Sequence, residues 1–201
     1  IVILTRLLGP AEFGRYALAV ITLQFVHMSG FTWLEAAVAR FQARAESEGD
    51  ENSHLKTIYA YAALFAVVGC AVILAALWFL PINPQLNTVL VFALTSTCLT
   101  LFFNLGMEAH KASHRIGRYS AVYSTQVFLS FTLGIILILT TPLREAAPFV
   151  GIMVATVIVL VIDLPFMARR MKQGEVQTVK AKTYFKYGMP HSLNNFQTSE
   201  T

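Results

Sequence analysis

The chain has 201 residues, of which 56% are hydrophobic and only 13% charged, and its mean hydropathy is +0.60. A soluble domain carries about 25% charged residues, so this composition excludes an ordinary water-soluble globule. The formal net charge of +4 does not indicate nucleic-acid binding, because the lysines and arginines of a membrane protein concentrate in its cytoplasmic loops.

Apolar segments follow one another along almost the whole chain. Residues 1–8 fit the last two turns of a helix that we expect to be truncated at its start, because they are too short for the apolar region of a signal peptide. Five later stretches reach the roughly 20 apolar residues that a bilayer span requires. We therefore predict an all-α polytopic membrane protein with spans at about 16–39, 58–82, 87–107, 120–141 and 146–168.

The basic residues alternate between the two sides of this helix order. Only three of the fifteen, all arginines, lie on the side that holds the Gly9-Pro10 turn. The other twelve lie in or beside loops at 40–57, 110–119 and 169–187. The positive-inside rule places these three loops in the cytoplasm, in a multi-pass protein of the inner (cytoplasmic) membrane.

Sites for covalent chemistry are not indicated by the sequence. Cys70 and Cys98 lie inside apolar spans and have no CxxC partner, so we expect small buried hydrophobes. His110 and His114 are four residues apart but lack the HExxH order of a zinc enzyme, and Lys111 between them repels a cation. We therefore predict no catalytic residue, no metal and no cofactor.

The turn after residue 8 has the properties of an external helix hairpin. Pro10 suits the first position of a helix, where its missing N–H has no partner to lose. Glu12 lies in the first turn, where the helix dipole stabilises a carboxylate. Gly9 and Gly14 are expected to relieve the sharp reversal of the chain.

The string TRLLGPAEFGRYALA (5–19) also resembles a known signature. It is similar to the end of the first helix in polysaccharide flippases of the multidrug/oligosaccharidyl-lipid/polysaccharide exporter superfamily, with phenylalanine where tyrosine is commoner. HKASHRIGRYS (110–120) resembles the basic loop between the fourth and fifth helices of that family, and YFKYGMP (184–190) the entry to the seventh. The residues that match the first signature are Arg6, Leu7, Leu8, Gly9, Pro10, Glu12, Phe13 and Gly14.

The resemblance implies a lobe of a two-lobe transporter. Residues 1–170 would form the N-terminal six-helix lobe with its first helix truncated, and a missing C-terminal lobe of the same chain would be its partner. Residues 171–201 would be a cytoplasmic amphipathic linker and the start of helix seven, although 191–201 are polar where that helix should be apolar. The alternation of basic and apolar residues over 169–186 suits a helix on the inner membrane surface, in contact with membrane lipids.

Polar side chains recur at helical spacing as stripes along three spans, where ionisable groups usually face the bundle interior or a water-filled cavity. The stripes are Gln24, His27, Phe31 and Glu35 in the second helix, Thr97, Thr100, Asn104, Glu108 and Lys111 in the fourth, and Tyr123, Gln126 and Ser130 in the fifth. The alternative for the uncharged ones is hydrogen bonding between neighbouring helices. For the ionisable side chains there are two alternatives. One is an ion pair near the membrane surface, such as Glu35 with Arg40, and the other is a bond to local backbone, as for Asp163. The third helix, by contrast, is nearly pure hydrocarbon over 62–80 and is expected to face lipid. Our candidates for the substrate path are Arg6, Gln24, His27, Glu35, Asn104, Glu108 and Asp163.

The function implied by the resemblance is the flipping of polyprenyl-pyrophosphate-linked oligosaccharide by alternating access, for cell-surface polysaccharides such as lipopolysaccharide O-antigen or exopolysaccharide. Arg6 would contact the pyrophosphate, because guanidinium matches phosphate geometry, or else reach the outer headgroups. The polymerase and ligase of the pathway are candidate partners. The alternatives are a cation-coupled multidrug exporter of the same superfamily, a membrane-embedded transferase and an assembly subunit.

Overall fold

The computed structural model describes residues 2–79, 83–171, 174–177 and 184. Two predicted segments lie partly outside the described residues. One is the C-terminal end of the 58–82 span, and the other is the linker with the start of the seventh helix, of which 172–173, 178–183 and 185–201 are not described. No strand occurs in the described part of the chain. The helices are α1 (Val2–Leu7), α2 (Pro10–Gly30), α3 (Thr32–Ser47), α4 (Glu51–Phe79), α5 (Pro84–Ala112), α6 (Ile116–Thr140) and α7 (Ala147–Met171), with a 3₁₀ turn at Arg144–Ala146 before α7.

Four of these helices, α4 to α7, are long and apolar enough to cross a membrane. The α2–α3 pair qualifies as a fifth, bent span. Helix α5 lies at the centre of the bundle and packs against α2, α3, α4, α6 and α7. The protein is an all-α polytopic membrane protein, which confirms the fold class predicted from hydropathy.

The predicted span at 16–39 is two helices rather than one. Helices α2 and α3 meet at Phe31 and are bent by 47°. The sequence Ser29-Gly30 precedes the break, and such pairs are a common cause of kinks. Two side chains near the break bond main-chain carbonyls: the Trp33 indole donates to that of Gly30 at 2.9 Å and the Thr32 hydroxyl to that of His27 at 3.3 Å.

The predicted loops at 40–57 and 110–119 are mostly helical. Helix α3 runs on to Ser47 and α4 begins at Glu51, so only a three-residue turn remains, with Gly49 at φ +73°. Helix α5 likewise ends at Ala112 and α6 begins at Ile116. Hydropathy located the apolar part of each helix, whereas the helices continue past it through charged residues, because the backbone hydrogen bonds do not depend on side-chain polarity.

The outer surface of α4 is apolar and exposed, at Leu64, Val68, Val72 and Trp78 among others. This surface agrees with the lipid contact expected for the third span, since exposed apolar residues in a membrane protein face hydrocarbon.

Helices α6 and α7 form a tight hairpin. A Cβ added at Gly151 would lie 2.6 Å from the backbone nitrogen of Gly134, so the two backbones touch at this crossing. Farther along the pair, the Gln126 amide donates to the Thr156 hydroxyl at 3.2 Å. Small residues at such a crossing let membrane helices pack closely.

Orientation can be tested with single cysteines in a background without Cys70 and Cys98. Ser47 lies at the basic end of the bundle, where α3 ends and α4 begins, whereas Gln85 lies at the opposite end, and both are exposed. The positive-inside rule predicts that an impermeant maleimide labels Gln85→Cys in intact cells and labels Ser47→Cys only after permeabilisation. The reverse pattern would invert the orientation.

Candidate functional site

A cavity of about 520 Å³ lies between α2, α5, α6 and α7. It extends from Leu4 and Tyr16, near the Gly9-Pro10 turn, to the level of His27 and Asn104. Sites for small molecules measure about 300–1,000 Å³, so this volume suits a ligand.

Polar side chains from three of the predicted stripes meet in this cavity. Helix α2 contributes Gln24 and His27, and α6 contributes Gln126 and Ser130. Helix α5 contributes Ser96, Thr97, Thr100 and Asn104. The structure thus brings together three of the seven candidate path residues, Gln24, His27 and Asn104.

Glu35 lies beside the end of the cavity that His27 and Asn104 form, far from the Gly9-Pro10 turn. Its carboxylate accepts a hydrogen bond from the Asn104 amide at 2.9 Å and lies 3.4 Å from Nε2 of His27. The predicted partner Arg40 is not the one that Glu35 uses, because residues five positions apart lie on different faces of a helix. Helix α3 packs against α5, and Glu35 contacts α5 through Asn104 instead. Glu35 is therefore joined to the cavity through His27 and Asn104 and does not line it.

The signature residues build the junction of α1 and α2. A carboxylate oxygen of Glu12 accepts the Gly9 N–H at 2.9 Å, and Leu8 is buried near Ile138. Gly9 has φ −65° and ψ 162°, which any residue can adopt, so the expectation that glycine relieves the turn is wrong at this position. Phe13 contacts the Tyr16 ring, at 6.2 Å between centroids.

The arginines near this junction have different surroundings. Arg15 Nε lies 2.7 Å from the Glu145 carboxylate, and Arg144 lies 3.7 Å from that of Glu12. Arg6 is exposed on α1 and has no ion pair within the described residues.

Glu108 lies outside the cavity and pairs with Lys111 at 2.6 Å. The ammonium of Lys111, which is half-exposed, also lies 5.5 Å from the centre of the Tyr119 ring. This arrangement is a pair near the membrane surface, one of the alternatives that the sequence left open.

Asp163 is the centre of a buried cluster that joins three helices. Its carboxylate lies 3.1 Å from Nε2 of His110 on α5 and 2.6 Å from Nη2 of Arg118 on α6. The structure thus favours neither interpretation made from the sequence, because the Asp163 carboxylate meets side chains of two other helices instead of local backbone and does not line the cavity. The sequence did not predict this role for His110 or Arg118. It suggested His110 only as a candidate metal ligand, and Arg118 only as one of the basic residues of the loop at 110–119.

The thiols of Cys70 on α4 and Cys98 on α5 lie 3.0 Å apart, within hydrogen-bonding distance, and form no disulfide. Sequence position alone gave no signal of this contact, because the two residues are 28 positions apart.

The segment after α7 crosses the start of α4. Residues 174–177 are not helical, unlike the amphipathic helix expected over 169–186. The Lys56 ammonium donates to the Gly174 carbonyl at 2.8 Å, and the Thr57 hydroxyl accepts the Gln177 N–H at 3.0 Å. These bonds replace those that a helix would make.

Tyr184 packs into the same end of the bundle. Its hydroxyl lies 2.6 Å from Nδ1 of His54, and its ring lies 5.0 Å from that of Phe41. Burial raises the pKa of Tyr184 to about 12, so the hydroxyl is protonated at neutral pH.

A family model described as polysaccharide biosynthesis protein matches residues 3–199. Neither a curated protein nor a solved structure matches the chain. The family match covers nearly the whole chain and agrees with the resemblance of residues 5–19. The chain therefore belongs to the polysaccharide biosynthesis protein family, a flippase-type family of membrane proteins.

Proposed function

We propose that this protein flips lipid-linked oligosaccharide across the cytoplasmic membrane, as part of a transporter that works by alternating access. The observation that supports the proposal best is the cavity between α2, α5, α6 and α7, because its polar side chains converge inside a bundle whose outer surface is apolar. Polar groups inside a membrane are costly and usually mark a substrate pathway.

The physical problem of flipping is the headgroup. The transfer of an uncompensated polar group from water to hydrocarbon costs a free energy on the order of 2–7 kcal/mol. The polar side chains that line the cavity would replace part of that water along the path, while the polyprenyl tail stays among the acyl chains. In this proposal the protein moves its substrate and makes or breaks no bond in it.

The proposal is tested by expressing the complete gene and reconstituting its product in liposomes. The substrate is the lipid-linked saccharide purified from the source cells, and its appearance in the outer leaflet is measured with an impermeant saccharide-cleaving enzyme. We expect transfer that liposomes without the protein lack. Absence of transfer, together with normal surface glycan in a strain deleted for the gene, would contradict the proposal. Increased drug sensitivity of that strain would favour the multidrug exporter.

Glu35→Gln is expected to reduce glycan export strongly, with little loss of protein. The substitution keeps the shape of the side chain and its bond to Asn104, but it removes the negative charge 3.4 Å from His27. Because an ionisable group inside a span must be compensated, the change from carboxylate to amide should alter the polarity at the His27 end of the cavity. Export is measured as surface glycan per unit of protein in the membrane.

The control is Glu46→Gln on the same helix. Glu46 pairs with Arg115 at 3.6 Å at the basic end, and its side chain is 39% exposed. Exposed pairs contribute about 0–1 kcal/mol, so this variant should export normally. If Glu35→Gln exports normally while Glu35→Ala loses protein, Glu35 has only a structural role.

A further inference from the structure

Four charged side chains form two ion pairs at the Gly9-Pro10 end of the bundle. Nε of Arg15 on α2 lies 2.7 Å from the carboxylate of Glu145, and Nε of Arg144 lies 3.7 Å from that of Glu12. Both pairs join α2 to the turn between α6 and α7. The first pair is the more enclosed, since the side chain of Glu145 is 10% exposed and that of Arg144 is 56% exposed. We call these four residues the charged clamp.

The order of the signs selects one register of α2 against this turn. Glu12 and Arg15 lie three positions apart, so they share one side of α2 and carry opposite charges. The neighbours Arg144 and Glu145 also carry opposite charges. A slide of α2 by one turn, about 5.4 Å, would bring Arg15 opposite Arg144, and a slide the other way would bring Glu12 opposite Glu145. Since like charges oppose such contacts, the clamp is either closed in this register or open.

Two aromatic rings lie beside the clamp on its cavity side. Tyr16 follows Arg15 on α2, and Phe149 lies four positions after Glu145. The centres of the two rings are 5.4 Å apart. Both rings line the cavity, whereas no residue of the clamp does. The clamp therefore holds α2 and the start of α7 together at this end of the cavity.

The backbone of Arg144 is strained while the clamp is closed. Its φ is +43°, in the left-handed region that residues with a side chain rarely adopt. A conformation of this kind persists where the surrounding contacts hold it, and it is typical of segments that switch between two arrangements. Opening of the clamp would release Arg144 from Glu12 and let the turn relax.

Glu12 connects the clamp to the junction of α1 and α2. One of its carboxylate oxygens accepts the Gly9 N–H at 2.9 Å, and the other faces Arg144. The bond to Gly9 does not depend on Arg144, so α1 and α2 can stay joined when the clamp opens.

We propose that the charged clamp closes the Gly9-Pro10 end of the cavity and opens when the substrate passes this end. This inference rests on the proposed function and goes beyond it, because it assigns the closing contact to four residues that do not line the cavity. Arg15 and Glu145 are positioning residues in this account. They hold the rings of Tyr16 and Phe149 together and do not bind the substrate.

The test locks the clamp in the complete protein. Arg15→Cys/Glu145→Cys, in a background without Cys70 and Cys98, removes both charges of the enclosed pair together, so neither is left unpaired. Before reconstitution in liposomes, the two thiols are bridged by a reducible bifunctional methanethiosulfonate whose spacer matches the length of the side chains that were removed. We expect the bridge to slow transfer of the lipid-linked saccharide about tenfold or more, because a gate that cannot open limits the rate. A reductant should restore the transfer.

The matched controls are the two single-cysteine variants, which react with the reagent but cannot be bridged. The reagent should leave their transfer rates unchanged. If Arg15→Cys/Glu145→Cys does not fold, Glu12→Cys/Arg144→Cys locks the more exposed pair in the same way.

Glu145→Gln weakens the clamp instead of locking it. Combined with Thr97→Cys in the same background, it should speed the reaction of that cysteine with a water-soluble thiol reagent about fivefold, the effect of losing one partly exposed ion pair. Glu46→Gln, which breaks an exposed pair at the basic end, is the control and should leave the rate unchanged.

Full transfer by the bridged protein would overturn the inference and leave the proposed function standing, because the clamp would then be a fixed joint. An unchanged rate for Thr97→Cys in the Glu145→Gln protein would also contradict it. Absence of transfer by the protein without substitutions would overturn the proposed function itself.

Discussion

Gly151→Ala is expected to destabilise the protein more than any other single-methyl change in the described helices. The added Cβ would lie 2.6 Å from the Gly134 nitrogen, 2.8 Å from its Cα and 2.9 Å from the Ser130 carbonyl oxygen. All three are backbone atoms, so no side chain can move aside and α6 must separate from α7. Overpacking of this kind costs about 1–3 kcal/mol.

The effect should reach the cavity, because Gly134 and Ser130 line it from α6. We expect a lower melting temperature in detergent and a lower yield of folded protein. The control is Gly117→Ala, at the start of α6, where an added Cβ has nothing within 4 Å. In an open helical position alanine stabilises by about 0.5–1 kcal/mol relative to glycine. Equal melting temperatures for the two variants would show that α6 and α7 are not in contact at Gly151.

Asp163→Asn is expected to be the most damaging change of a single charge. Asp163 is 7% exposed in its side chain and His110 1%, so the carboxylate compensates its partners inside the bundle. Removal of one member of a buried pair costs about 3–5 kcal/mol. We expect the lower end, because the side chain of Arg118 is 37% exposed and water can solvate part of the guanidinium.

The measurement is a double-mutant cycle with Arg118→Met, read as the free energy of unfolding or the melting temperature. The pair should be non-additive, since the second change removes the charge that the first leaves unpaired. The control Glu108→Gln breaks a half-exposed pair with Lys111 and should cost about 0–1 kcal/mol. Additivity within about 0.5 kcal/mol would contradict the role of Asp163 as the link between α6 and α7.

The fold class could be predicted from the sequence because bilayer spans depend on length and hydropathy, which are local. The bend at Phe31 could not, because residues 16–39 are apolar on both sides of Gly30 and hydropathy does not detect a 47° change of direction. The exact helix ends were also out of reach, since α3 continues to Ser47 through charged residues.

The candidate site, too, could be predicted from the sequence only in part. Helical periodicity predicted that Gln24 and His27 share a face, as do Thr97, Thr100 and Asn104, and the structure places both sets at one cavity. The partners of Asp163 were not predictable, since His110 is 53 positions away and only the packing of α5 against α7 brings them together.

The residues that match the family signature, Arg6 to Gly14, do not line the cavity, although Tyr16 of the same string does. Gly9 and Glu12 join α1 to α2, and Leu8 packs near Ile138. A strongly patterned turn can therefore identify a family, although the polar side chains that line the cavity form no recognisable motif.

The central claim is that the cavity is a hydrated path for the saccharide. The most direct measurement is the reaction of Thr97→Cys, in a background without Cys70 and Cys98, with a small water-soluble thiol reagent. Thr97 lines the cavity on α5, whereas Thr125 is exposed on the outer surface of α6, so Thr125→Cys is the control. Our account predicts that Thr97→Cys reacts, that the lipid-linked saccharide protects it, and that Thr125→Cys does not react. A Thr97→Cys as unreactive as Thr125→Cys would show that the cavity is closed by protein or lipid and is not the path.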